Sequence, residues 1–126
     1  MKSFNPYPHQ VAGIDWITDR PACALIWGMG TGKTVTTLTA LDRILNDRLE
    51  DGPVLVIAPK RVALDTWTGE SSGWAHLQHL RVSTVIGTAK QRQAALDAPA
   101  DIYVINRENV VWLTEHLRGS WPFPIV

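Results

Sequence analysis

The feature that most constrains this chain is a set of alternating glycines set between an apolar run and a segment with helical spacing. The stretch reads Ala24-Leu25-Ile26-Trp27-Gly28-Met29-Gly30-Thr31-Gly32-Lys33-Thr34. Strand, glycine loop and helix, in that order, are what a phosphate-binding loop requires. Glycines adopt backbone angles closed to other residues and let main-chain N–H groups approach an anion. The helix that follows aims its unpaired N–H groups and positive dipole end at the same point. Lys33 can then reach the β- and γ-phosphates of a nucleotide such as ATP, and the Thr34 hydroxyl can sit on its Mg2+. Gly30, Gly32, Lys33 and Thr34 fit the pattern, while Trp27 stands where glycine is usual. The plain alternative is a glycine-rich turn with a solvated lysine, but the flanking order of elements favours the phosphate loop.

The rest of the chain repeats the alternation of apolar runs and helical patterns. A helix is expected from Pro8, with Val11, Ile14, Trp16 and Ile17 as its apolar positions, ending at Asp19-Arg20-Pro21. Residues 22–27 read as a first strand, apolar throughout, as in a sheet covered on both faces. After the loop, Val35, Leu38, Leu41, Leu45 and Leu49 recur at three- and four-residue steps, a helix with one buried face. Asp51-Gly52-Pro53 breaks it. Residues 54–58 form a second buried strand, and 62–68 read as a helix weakened by Gly69-Glu70-Ser71-Ser72-Gly73. A third strand is expected over 81–86, then a helix over 89–96 capped by Thr88. A fourth strand covers 102–105, followed by a helix that Asn106 can cap and Gly119 stops. A fifth strand begins at Ile125.

This pattern implies parallel, right-handed crossovers and a three-layer α/β sandwich. Ligands in such sheets gather beyond the carboxyl ends of the strands, so residues 28–34, 59–61 and 106–108 should open on one edge. At 126 residues, with 45% hydrophobic and 19% charged content, the chain suits one globular domain. Twelve basic residues balance twelve acidic ones, so any grip on nucleic acid must be local. Cys23, the only cysteine, is expected to be a buried thiol, with no disulfide framework. No signal-peptide core or membrane-length run is present, which points to the cytoplasm. His76 and His79 lack the cysteine or carboxylate company that a zinc site needs. Most of the six tryptophans, Trp16, Trp67, Trp74 and Trp112 among them, are expected to pack in core or crevice.

Four blocks, in order, resemble the first RecA-like domain of superfamily-two helicases, closest to the Swi/Snf-type DNA-dependent ATPases in their compact phage form. They are Tyr7-Pro8-His9-Gln10 with Gly13-Ile14-Asp15-Trp16; Gly28-Met29-Gly30-Thr31-Gly32-Lys33-Thr34; Val54 to Lys60 with Trp67, Glu70 and Trp74; and Ile102 to Glu108. The resemblance implies a P-loop NTPase fold whose first 126 residues form the N-terminal part of the ATP-binding domain, in the host cytoplasm if phage-encoded. It implies that Gln10 holds the adenine edge through its amide, which both donates and accepts, with Tyr7 stacking nearby. It also implies that Pro59, Lys60, Arg61, Asn106 and Arg107 lie along DNA, with Lys60 and Arg61 as phosphate contacts that set position and not sequence. The family's acidic pair before Met29 is replaced by Trp27 and Gly28. The acidic box expected after Ile125, and the second RecA-like domain with its arginine, fall outside these residues. Poor or no hydrolysis is therefore expected of this chain alone. An unfinished sheet edge at Ile125 offers a pairing site for another copy.

Plainer readings accompany each residue. Gln10 can be an ordinary helix residue, Lys60 and Arg61 a solvated helix start, and Asn106 only an N-cap. Two other functions fit a phosphate loop: a small-molecule kinase, for which no lid or acceptor-binding acid is evident, and a non-catalytic nucleotide-binding module.

Overall fold

The computed structural model describes residues 2–28, 30–47 and 52–126. Met29, Leu49 and Asp51, each part of an expectation above, lie outside the described residues. Helix α1 spans Pro8–Asp19, starting at proline as expected because a first-turn residue needs no N–H. Of its expected apolar positions only Ile14 is fully buried; Val11 and Trp16 are exposed. The Arg20 guanidinium lies 3.4 Å from the Trp16 ring centroid, so this tryptophan is covered by a cation and not by core. Helix α2 spans Lys33–Asp47 and packs on α1. Val35, Leu38, Leu41 and Ile44 form its buried face.

Three strands make a parallel sheet in the order β1 (Val54–Ala58), β3 (Ile102–Asn106), β2 (Val82–Val85). Val54 pairs with Ile102 and Val82 with the same residue from the other side. Central β3 is buried along its full length. Alternation along the pleat divides the core into two layers. Val54, Val56, Ala58, Ile102 and Val104 pack with Val35, Leu38 and Leu41 of α2. Leu55, Tyr103 and Ile105 face the other way, against Val85, Leu113 and Phe123. Helix α4 (Ala89–Asp97) starts where Thr88 Oγ1 accepts the Gln91 N–H at 3.2 Å, the expected cap. Helix α5 (Val110–His116) closes the second layer with Leu113. The three-layer α/β architecture with a parallel sheet is thus present.

Two expectations for the segment before the glycine loop fail. Residues 22–27 are not a strand, and most of them are exposed, Ile26 at 94%. Cys23 is an exposed thiol, not a buried one. Apolar character alone does not make a strand; its N–H and C=O groups need a neighbouring strand, and none of the described strands lies beside this segment. At Ile125 only a single bridge forms, parallel to Val54, with the Leu55 N–H donating to the Ile125 carbonyl at 3.0 Å.

The region after β1 is more helical than its glycines and serines suggest. A π-helical turn, Val62–Thr66, runs into helix α3, Trp67–Gly73. Side chains supply what propensity lacks. Trp74 Nε1 donates to Glu70 Oε2 at 2.6 Å, and Gln78 Nε2 donates to the Ser72 carbonyl at 2.6 Å. Beyond it, His76 Nε2 meets Thr39 Oγ1 at 2.8 Å and His79 Nε2 meets Asp42 Oδ1 at 2.5 Å. Both histidines clip this segment to α2.

Candidate nucleotide-binding site

The glycine loop has the backbone its sequence calls for. Gly30 and Gly32 sit at φ +74° and +81°, left-handed conformations that a side chain disfavours. A Cβ on Gly32 would also collide with the Gln10 amide. Thr31 Oγ1 donates to the Gly28 carbonyl at 2.7 Å, tightening the turn. The Lys33 ammonium folds into the loop, donating to the carbonyls of Trp27 at 2.9 Å and Gly28 at 3.3 Å. Thr34 follows in the first turn of α2, half-buried. No acidic side chain stands in that turn to compete for an anion.

Gln10 is buried, and its amide uses both ends. Its Oε1 accepts the Tyr7 N–H at 2.9 Å, and its Nε2 donates to the Thr31 carbonyl at 3.3 Å. The opening block is therefore tied to the loop 21 residues later. Tyr7 is exposed, its ring parallel to that of His9 with centroids 6.0 Å apart.

Three residues take part that sequence patterns alone do not assign. His9 Nε2 lies 3.1 Å from the Thr31 carbonyl, so both His9 and Gln10 hold one loop oxygen. Trp27 meets the His9 ring edge-on at 5.0 Å and lies against α1 at Gly13, where any Cβ would strike the indole. Gly13 is thus a docking notch for the residue that replaces the usual glycine. Only the adjacency of His9 to Gln10 hinted at this; the contacts with Thr31 and Trp27 are long-range.

A second polar group lies beyond β1 and β3, whose parallel pairing puts their carboxyl ends on one edge. Pro59, Lys60 and Arg61 are exposed there. Asn106 is buried and offers no cap to the helix behind it. Its Nδ2 donates to Glu108 Oε2 at 2.7 Å, and its Oδ1 accepts from Asn109 Nδ2 at 2.6 Å. Arg107 is exposed beside it. The Glu108 carboxyl is held below its ordinary range by its own backbone N–H, then by Asn106, with Arg107 and Lys60 adding positive charge. Asn106 therefore organises a carboxylate as well as ending a strand.

Comparison with known proteins follows the same lines. Residues 9–117 match the SNF2-related domain. Putative protein p41 of Acyrthosiphon pisum secondary endosymbiont phage 1 is 43% identical over 98% of this chain, which covers 27% of that relative. The ISWI chromatin-remodeling complex ATPase ISW1 of Saccharomyces cerevisiae is 35% identical over 53% of the chain and 6% of its own length. The Sulfolobus solfataricus SWI2/SNF2 ATPase core in complex with dsDNA superposes with a TM-score of 0.76 at 25% identity, covering 94% of this chain and 25% of that one. The chain thus spans about a quarter or less of the proteins it resembles. A phosphate-type loop tied to a glutamine-bearing opening helix, on a parallel sheet matched across residues 9–117, makes this chain a member of the SNF2-related domain family.

Proposed function

We propose that residues 1–126 form the N-terminal part of the first RecA-like domain of a superfamily-two, DNA-dependent ATPase or translocase. The observation that carries this reading is the double tether of the loop: Gln10 on the Thr31 carbonyl and Lys33 inside the turn. In this reading Gly28, Met29, Gly30, Thr31 and Gly32 supply the main-chain cradle for the phosphates of ATP. Lys33 leaves its two carbonyls and pairs with the β- and γ-phosphates. For Gln10 to read the adenine edge its amide exchanges the Tyr7 N–H and the Thr31 carbonyl for the base, and Tyr7 offers an exposed ring for stacking.

The residues present fit a triphosphate: glycines at positive φ, a lysine and a helix start without acid. For Mg2+ they offer the Thr34 hydroxyl, one ligand of the several that ion takes beside phosphate oxygens and water. The bound metal neutralises charge developing on the phosphates. Pro59, Lys60, Arg61, Asn106 and Arg107 lie along the edge that meets DNA, where the exposed Lys60 and Arg61 contact backbone phosphates without reading bases, while buried Asn106 shapes the turn behind them. That the Sulfolobus solfataricus relative is in complex with dsDNA supports DNA as partner. A second RecA-like domain is the other partner. The acidic box and the domain carrying the arginine lie outside these residues, so the isolated chain binds nucleotide and turns it over poorly.

The test is titration of a fluorescent ATP analogue with Mg2+ against the 126-residue chain and its Lys33→Ala variant. Loss of one charge-assisted contact costs about 1.5–3 kcal/mol, roughly ten- to a hundredfold in Kd. Equal affinities would remove the phosphate-loop reading. Robust DNA-stimulated hydrolysis by the chain alone would contradict the assignment of catalysis to missing parts.

A further inference from the structure

The Thr31 carbonyl oxygen accepts twice, from His9 Nε2 at 3.1 Å and from Gln10 Nε2 at 3.3 Å. A carbonyl has two lone pairs, so this acceptor is filled, and it has no proton to give, which places one on His9 Nε2. The Gln10 amide is just as fully used, since its Oε1 takes the Tyr7 N–H. Gln10 therefore cannot pair with a base and keep its present partners. Turning to an adenine edge frees the Tyr7 N–H, which water at that exposed residue can take, and removes one of two donors from Thr31.

That oxygen matters to the loop through peptide geometry. In a trans peptide the C=O and N–H point in opposite directions, so holding the Thr31 oxygen against α1 turns the Gly32 N–H away from it. Gly30 and Gly32, at φ +74° and +81°, flank Thr31 and put little steric restraint on the peptides around it. Orientation is left to the two donors. His9, unlike Gln10, has no second task. Its ring meets Trp27 edge-on at 5.0 Å and lies parallel to Tyr7 at 6.0 Å. Trp27 is itself seated at Gly13 of the same helix, and its carbonyl accepts the Lys33 ammonium.

We propose that His9 is a positioning residue for ATP: it keeps the Thr31–Gly32 peptide oriented while Gln10 passes from the Thr31 carbonyl to the base. The inference rests on the phosphate loop and on Gln10 reading adenine, as proposed for this site. It divides the work between two neighbouring side chains. With no base present, Gln10 stays on Thr31 and His9 is redundant. With a base bound, His9 is the donor left on that oxygen.

Two probes, each with Mg2+, separate these cases: ATP, and inorganic tripolyphosphate, which carries the phosphates without a base. Both are titrated calorimetrically against the 126-residue chain and its His9→Ala, His9→Gln and Lys33→Ala variants. His9 is exposed, so its substitution leaves the fold intact. The expected result is that His9→Ala weakens ATP about three- to tenfold, the worth of one hydrogen bond, and tripolyphosphate by less than about twofold. His9→Gln, which restores a side-chain N–H donor, returns most of the ATP affinity. Lys33→Ala weakens both probes, because the lysine meets phosphate in either. A His9→Ala loss of equal size on the two probes marks a merely structural ring and overturns the proposal. So does His9→Gln as weak as His9→Ala on ATP. If His9→Ala matches the parent on ATP while Lys33→Ala is impaired, the hand-over falls and the phosphate loop stands. Lys33→Ala equal to the parent on both probes removes the loop and the hand-over with it.

Discussion

Strand β3 and residues 22–27 look alike on paper: each is a short apolar run bounded by turn residues. One is the buried centre of the sheet, and the other is an exposed, unpaired stretch ahead of the glycine loop. The difference lies in neighbours and not in composition. β3 has strands on both sides over residues 102–105, so its apolar side chains enter a core and its backbone groups find partners along the ladders. Residues 22–27 have the side chains without the ladder. A hydrophobic run therefore states what a segment can become, and the sheet decides whether it does.

The contrast is most sharply tested by truncating one isoleucine in each region. Ile105→Ala removes a fully buried side chain from the layer against Leu113 and should cost about 2–5 kcal/mol in urea unfolding. Ile26→Ala should fall within about 0.5 kcal/mol of the parent, since Ile26 is 94% exposed. Equal losses at the two sites would mean that 22–27 is packed in solution.

A smaller effect is expected at the junction between the two regions. Gly32→Ala forces a side chain into a left-handed conformation, costing about 1–2 kcal/mol. It also pushes the Gln10 amide off the Thr31 carbonyl. Nucleotide affinity should drop, while Gly28→Ala, with open space around it, should be mild. Comparing the two variants by nucleotide titration separates loop geometry from general glycine loss.

The smallest expected effect concerns pH. Burial holds the His76 imidazole below its ordinary 6.5, with Asp42 opposing and His79 reinforcing the shift. In the unfolded chain the ring takes up its proton first as pH falls. The folded state thus keeps its full share of stability above about 6.5 and loses it as pH drops through the lowered value. His76→Phe, which can keep the stack on Phe4, should flatten the fall in urea midpoint between about pH 7 and pH 5. An unchanged slope would acquit His76.

Much of this architecture is legible in the residues alone. The three-and-four spacing of Val35, Leu38 and Leu41 reports a helix face, and the Thr88 cap reports a helix start, because both are set within one or two turns of chain. The strands β1 and β3 are readable because burial on both faces leaves a continuous apolar run. Less is legible in the region after β1, where α3 persists through Gly69 and Ser72 on side-chain hydrogen bonds from residues four to six positions on, which outweigh backbone propensity.

By itself the sequence determined the fold class, the glycine loop and the lysine inside it, all local properties of residue type and spacing. Only the tertiary structure decided that Trp27 docks on Gly13, that His9 and Gln10 share one carbonyl oxygen, and that 22–27 stays unpaired. These depend on contacts between residues far apart in the chain. No periodicity encodes such contacts, because they form only when helices and strands are packed against one another.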